Sequence, residues 1–184
     1  MSLQTSGITS IITDALKACI KMMLSPEPCD KFVPRHQLQN IIGLYESIER
    51  REPDVIISLL SAFLMRQVAR KEFSKEAASE LIQTFIKIRN LVSDEKDFKT
   101  YMREFLSTLS WIHETIDKCI FDNKEFEHCI EECRRSRGRG QRERRPSFKE
   151  CVHECLRRLG VNPEQLANTT DITQFSQMII TKCH

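Results

Sequence analysis

The 184-residue sequence has little glycine, little proline and no long apolar run. With only 5 Gly and 6 Pro, long disordered tracts are not expected outside one arginine-rich segment. No stretch reaches the roughly 18 apolar residues that a membrane-spanning helix needs. The longest apolar-rich piece, VIISLLSAFLM (55–65), is interrupted by two serines and followed by Arg66. We therefore expect neither a membrane protein nor an extensively disordered one.

The sequence also lacks the short motifs that carry common catalytic chemistry. It contains no G-x-S-x-G, no glycine loop for phosphates and no H-E-x-x-H. Carboxylates such as Glu49, Glu131 and Glu132 fall on polar helix faces, where no apolar surround would tune an acid–base pair. We predict that the protein is not an enzyme and has no cofactor, with zinc at four cysteines as the one alternative.

The N-terminal segment lacks the pattern of a secretory signal. It has no basic n-region, and Asp14 and Lys17 interrupt its apolar residues, which is typical of an amphipathic helix. Without an export signal the default compartment is reducing, where cysteines are more often thiols or metal ligands than disulfides. We therefore predict a cytoplasmic location.

Apolar residues recur with a helical period along almost the whole chain, and no segment shows a convincing period of two. Pro53, Ser74 and Asp94 or Asp97 are predicted to start helices. We predict an all-α fold, in which a five-helix bundle (1–120) is followed by a Cys/Arg-rich helical hairpin and a short C-terminal helix (121–184). The apolar helix that begins at Pro53 is the predicted most buried element.

Four of the eight cysteines form two i, i+4 pairs, EFEHCIEEC and FKECVHEC, each on one face of a helix. Ser147 and Glu150 form a capping-box pattern that starts the second helix. An antiparallel hairpin then brings Cys133 opposite Cys151 and Cys129 opposite Cys155. The twin C-x3-C pattern resembles the disulfide hairpins of small mitochondrial intermembrane-space proteins. Disulfides, tetrahedral zinc and buried thiols all remain open for these four residues.

The remaining cysteines are scattered along the chain. Cys19 and Cys119 lie on apolar stripes and are predicted to fill the core as thiols. No pattern suggests a role for Cys29 or Cys183.

Positive charge is concentrated although the net charge is only +2. Seven arginines lie between Arg134 and Arg145 against one acid, Glu143. Planar guanidinium groups on a glycine-containing segment suit phosphate contacts without base specificity, although a solvated turn or a dock for an acidic partner fits as well. A smaller set of cations, Arg66, Arg70 and Lys71, lies at the end of the apolar helix. The predicted nucleic-acid contacts are Arg66, Arg70, Lys71, Arg134, Arg135, Arg137, Arg139, Arg142, Arg144 and Arg145.

Three segments of the bundle resemble the small α-helical subunits of type III CRISPR effector complexes. The segments are PRHQLQNIIGLYESI (34–48), LLSAFLMRQVARK (59–71) and FKTYMREFLSTLSWIH (98–113). Met65-Arg66 departs from the aromatic expected before Gln67, and the region after residue 120 has no counterpart in that family. The resemblance implies a non-catalytic filament subunit whose Arg66, Arg70 and Lys71 face RNA, contacting phosphates without reading bases.

The predicted function is therefore a non-catalytic subunit of a nucleoprotein assembly. Its expected partners are RNA or single-stranded nucleic acid and other protein subunits, without a membrane and with self-association left open. The alternative is a protein-interaction adaptor, viral or regulatory, with a hairpin stabilised by disulfides or zinc. A thiol redox switch at the i, i+4 cysteines is a third hypothesis.

Overall fold

A computed structural model describes residues 2–24, 32–33, 35–138 and 147–183. In these ranges the chain forms nine α-helices and one π-turn without a strand, which confirms the all-α prediction. The elements are α1 (Ser2–Leu24), α2 (Arg35–Ile48), α3 (Pro53–Ala69), α4 (Lys75–Leu91), α5 (Glu95–Ile116), the π-turn (Asp117–Phe121), α6 (Lys124–Gly138), α7 (Phe148–Arg158), α8 (Pro163–Asn168) and α9 (Ile172–Ile180).

The predicted helix starts are found where the sequence indicates them. Pro53 occupies the first turn of α3, and the Ser74 hydroxyl accepts a hydrogen bond from the Ala77 amide at the start of α4. Asp94 caps α5 through the Lys96 amide. Ser147 and Glu150 form the predicted capping box of α7. These side chains satisfy amides that a helix leaves unpaired, which is why local sequence alone locates these ends.

The first helix is the central element of the fold. Its second half is buried almost continuously, and α4, α5, α7, α8 and α9 all contact α1. Lys87 of α4 donates to the buried carboxylate of Asp14 at 2.6 and 2.9 Å, and Lys21 pairs with Glu80. The buried apolar residues form one core cluster that runs from Ile11 to Ile179.

The prediction that α3 is the most buried helix is wrong. Ile56, Leu60 and Leu64 face the core, but Val55 and Leu59 remain 42% exposed. The reason is topological, because α3 lies at the edge of the bundle against α2, α4 and α5. An apolar composition shows that a helix prefers cover but does not show whether the chain supplies it.

The C-terminal region packs on α1 through α7, α8 and α9, while α6 pairs with α7 in a hairpin. The π-turn widens the end of α5, where the Asp122 amide donates to the Asp117 carbonyl at 2.8 Å. Phe121 then stacks on Phe32 with ring centroids 3.8 Å apart, beside Phe126 and Phe148. Among the described helices, none is both long enough and apolar enough to span a lipid bilayer.

Candidate docking face

The structure joins the four hairpin cysteines in two disulfides, Cys129–Cys155 and Cys133–Cys151. The Cα atoms of these pairs are 5.7 and 5.9 Å apart, and the antiparallel pairing is the one predicted from the sequence. Of the three chemistries that the spacing left open, the structure contains disulfides. Each bond crosses from α6 to α7, so the hairpin stem is fixed at two successive turns.

A third disulfide, Cys119–Cys183, was not predicted. Cys119 was expected to be a free thiol in the core, and that prediction is wrong, although its side chain is buried. The bond connects the π-turn to the residues after α9. Cys19 is a buried free thiol as predicted, and its sulfur donates to the Leu109 carbonyl at 3.3 Å. Burial raises the pKa of the Cys19 thiol well above its ordinary value, which makes Cys19 unreactive.

No group of three or more His, Cys, Asp or Glu residues is arranged for a metal in the described part of the chain. The absence of a cofactor stays a prediction. Disulfides persist mainly in oxidising compartments. The cytoplasmic location, which depended on a reducing default, also stays a prediction.

Four of the seven arginines predicted between Arg134 and Arg145 lie outside the described residues. Arg139, Arg142, Arg144 and Arg145 belong to this group, and the side chain of Arg137 is not described. The guanidinium carbon of Arg134 lies 4.8 Å from the centre of the Phe148 ring, and Arg135 pairs with Glu131 at 3.0 Å. Both side chains therefore have partners within the hairpin, and their contact with phosphates stays a prediction.

The other predicted cations lie together at the turn between α3 and α4. Arg66, Arg70 and Lys71 are exposed there, and exposed Lys75 at the start of α4 joins them. We call these four residues the basic turn. Among the described residues no salt bridge to any of the four is found.

An apolar groove opens beside the basic turn. It has a volume of about 400 Å³ and lies between α3 and α4. Its lining comprises Met65, Val68, Ala69, Lys75, Ala78, Ser79, Ile82 and Gln83. Met65 is 67% exposed, and Ile86 on the following turn of α4 is 46% exposed. We call the groove, together with the exposed residues Val55 and Leu59 of α3, the docking face.

The sequence indicated three of the four cations of this face, Arg66, Arg70 and Lys71, but not Lys75 or the apolar part. The available signal was α3 itself, whose apolar residues extend around more of the helix than one buried stripe requires. The sequence interpretation assigned that excess to deep burial. In the structure the excess lies on the surface of α3, and its C-terminal end at Met65 borders the basic turn.

The two buried or half-buried histidines lie away from the docking face. His113 contacts the Val33 carbonyl through Nε2 at 3.0 Å, and burial lowers the pKa of its imidazole. Burial likewise lowers the pKa of His153, and positively charged Lys149 acts in the same direction. Both groups therefore stay neutral near pH 7, and neither belongs to a catalytic arrangement that the described geometry supports.

Comparisons with known proteins identify no family for the chain. No protein-family model matches it, and neither a curated protein nor a solved structure shows significant similarity. The resemblance to CRISPR small subunits therefore stays a prediction.

Proposed function

We propose that the protein is a non-catalytic interaction subunit whose docking face binds an amphipathic, acidic helix of another protein. The observation that carries this proposal is the uncovered apolar side of α3 with its groove against α4. Contiguous exposed apolar surface next to charged residues is typical of protein-binding sites. A groove between two antiparallel helices accepts a third helix through apolar residues at i, i+3, i+4 and i+7.

The charge of the face favours an acidic partner over a second copy of the chain. Residues 66–76 contain four cations and two acids, Glu72 and Glu76, for a net charge of +2. This local excess equals the net charge of the whole chain. Two copies docked through this face would therefore bring like charges together, whereas glutamates on a partner helix would complement the basic turn.

A nucleic acid is the second candidate partner. It is favoured by the four cations of the basic turn, to which no described residue forms a salt bridge, and by the arginines of 134–145. The lining of the groove argues for the protein partner. Met65, Val68 and Ile82 offer apolar contacts that a phosphate backbone does not use, whereas an apolar helix face does. The subunit role is common to both candidates, and only the partner differs.

The test uses designed helical peptides of about 18 residues, or five turns. The acidic peptide has leucines along one face and a cluster of glutamates at one end, and the neutral peptide has glutamines in place of the glutamates. We expect fluorescence anisotropy to show micromolar binding of the acidic peptide and weaker binding of the neutral one. A single-stranded RNA oligonucleotide of mixed sequence is titrated in parallel.

Two matched variants place the binding on the docking face. Met65→Asp changes a side chain that is 67% exposed in the groove, and Ile180→Asp changes one that is 66% exposed on α9. We expect Met65→Asp to weaken peptide binding at least about tenfold, because it puts a charge into the apolar contact, and Ile180→Asp to leave it unchanged. RNA binding that is insensitive to Met65→Asp, without peptide binding, would assign the subunit to nucleic acid instead.

A further inference from the structure

The helix ends before Lys71 and before Gly160 have the same geometry. After α3 the Lys71 amide donates to the Val68 carbonyl at 3.0 Å, and the Glu72 amide donates to the Gln67 carbonyl at 2.9 Å. After α7 the Gly160 amide donates to Arg157 and the Val161 amide to Leu156, both at 2.9 Å. These paired bonds define the Schellman motif, whose residue after the cap adopts a left-handed conformation.

The two motifs differ in the residue that occupies the left-handed position. At the end of α7 it is Gly160 with φ of 72°, which has no Cβ and adopts this conformation readily. At the end of α3 it is Lys71 with φ of 58°, the one non-glycine residue with positive φ in the described chain. A side chain with a Cβ is disfavoured there by contact with the following carbonyl oxygen. Lys71 therefore has a conformational cost that glycine would avoid.

The surrounding structure makes the left-handed conformation obligatory. Phe73, two residues later, is fully buried, and Ser74 caps α4. The chain must reverse between these points and the end of α3, so Lys71 cannot relax to a right-handed conformation without losing a buried aromatic ring and a helix cap. The cost persists because neighbouring contacts fix the backbone, a situation that is common at binding sites.

We propose that Lys71 is a recognition residue of the docking face, and that the acidic end of the bound helix lies over the turn between α3 and α4. This inference rests on the proposed function and names which end of the groove receives the partner's carboxylates. The lysine is exposed, and the described residues form no ion pair with it. Arg66, Arg70 and Lys75 flank it, so carboxylates over this turn meet four cations. The structural alternative is that Lys71 merely complements the negative end of the α3 dipole.

The test combines stability and binding measurements on one residue. Lys71→Gly relieves the backbone and removes the ammonium group, whereas Lys71→Arg keeps both the charge and the backbone cost. We expect Lys71→Gly to raise Tm by about 2–4 °C and to weaken acidic-peptide binding about fivefold. Lys71→Arg should change neither quantity appreciably. Gly160→Ala, the matched control at the other helix end, should lower Tm by a similar amount and leave peptide binding unchanged.

The outcomes separate this inference from the proposed function. If the acidic peptide binds the wild-type protein and Lys71→Gly equally well, Lys71 is not a recognition residue, and the proposed function stands. If Lys71→Gly lowers Tm, the lysine stabilises α3 and the inference is overturned. If the wild-type protein does not bind the acidic peptide, both proposals fail. A loss of the preference for the acidic over the neutral peptide in Lys71→Gly supports the inference directly.

Discussion

The helices α1 and α3 are both rich in apolar residues, but they have opposite environments. Five other helices contact α1, and residues such as Leu16 and Cys19 are almost fully buried. At the edge of the bundle, α3 packs on one side and leaves Val55, Leu59 and Met65 exposed on the other. The same kind of composition therefore builds the core in one helix and a surface for a partner in the other.

The burial of α1 follows from its position between the two parts of the chain. The bundle helices α4 and α5 cover one side of α1, and the disulfide-linked C-terminal region covers another through α7, α8 and α9. No comparable segment covers α3 among the described residues. We infer that the apolar side of α3 is available for binding because no described part of the chain covers it.

The largest expected effect is the loss of stability when a buried side chain of α1 is shortened. Leu16→Ala removes a side chain that is 0% exposed, and we expect the free energy of unfolding to fall by about 3–5 kcal/mol. Leu59→Ala on α3 should lower it by less than about 1 kcal/mol, because the side chain is already partly hydrated. Urea unfolding of both variants measures the difference. Equal losses would mean that α3 is not an uncovered helix in solution.

The second effect concerns the cover of α1. Replacing Cys119 and Cys183 by serine opens a link with a sequence separation of 64 residues, and we expect a loss of about 2–4 kcal/mol in unfolding free energy. Acidic-peptide binding to the folded double variant should be unchanged, because the docking face is on α3 and α4. Weakened peptide binding would show that the disulfide also supports the docking face.

A smaller effect is expected from acid. Burial lowers the pKa of His113 in the folded state below its ordinary value of 6.5, so the unfolded chain binds more protons when the pH falls through that value. Stability should therefore decrease between pH 7.5 and 5.5, by up to about 1.4 kcal/mol for this group. His153 acts in the same direction.

Urea unfolding at the two pH values checks this expectation. His113→Leu should reduce the pH dependence and leave the part contributed by His153. An unchanged slope in His113→Leu would contradict the assignment to this residue.

The smallest effect is the response of peptide binding to salt. Between about 0.05 and 0.5 M salt, screening should weaken acidic-peptide binding only several-fold, because the apolar contact in the groove remains. If several cations of the protein neutralised RNA phosphates, the affinity for RNA would fall by orders of magnitude over a similar range. Titrations at three salt concentrations give the slope. A steep slope for the peptide would mean that the basic turn dominates and the groove contributes little.

Local features of the fold could be predicted from the sequence. Ser74, Asp94 and the Ser147–Glu150 box satisfy helix amides only a few residues away, so their roles can be recognised from neighbouring letters. The pairing of the hairpin cysteines was equally accessible, because an i, i+4 spacing on two antiparallel helices allows few registers. The Cys119–Cys183 link was not, because no local pattern relates two residues that are 64 positions apart.

The candidate site was predictable only in part. Arg66, Arg70 and Lys71 were identified as a basic edge, since charge clusters are visible in the sequence. Lys75 and the groove residues Met65 and Ile82 were not identified, because the lining depends on how α3 and α4 pack. The left-handed conformation of Lys71 was also hidden, as the sequence shows a lysine where this turn usually has glycine.

The sequence by itself therefore determined the helical class, four helix starts and the stem of the cysteine hairpin, because these depend on spacing and on contacts within a few residues. Only the tertiary structure decided that α1, and not α3, is the buried helix. Both helices have enough apolar residues for burial. Which of them is covered depends on where the other helices pack in the fold. That decision leaves an apolar groove next to four cations, which is the feature from which we infer the function.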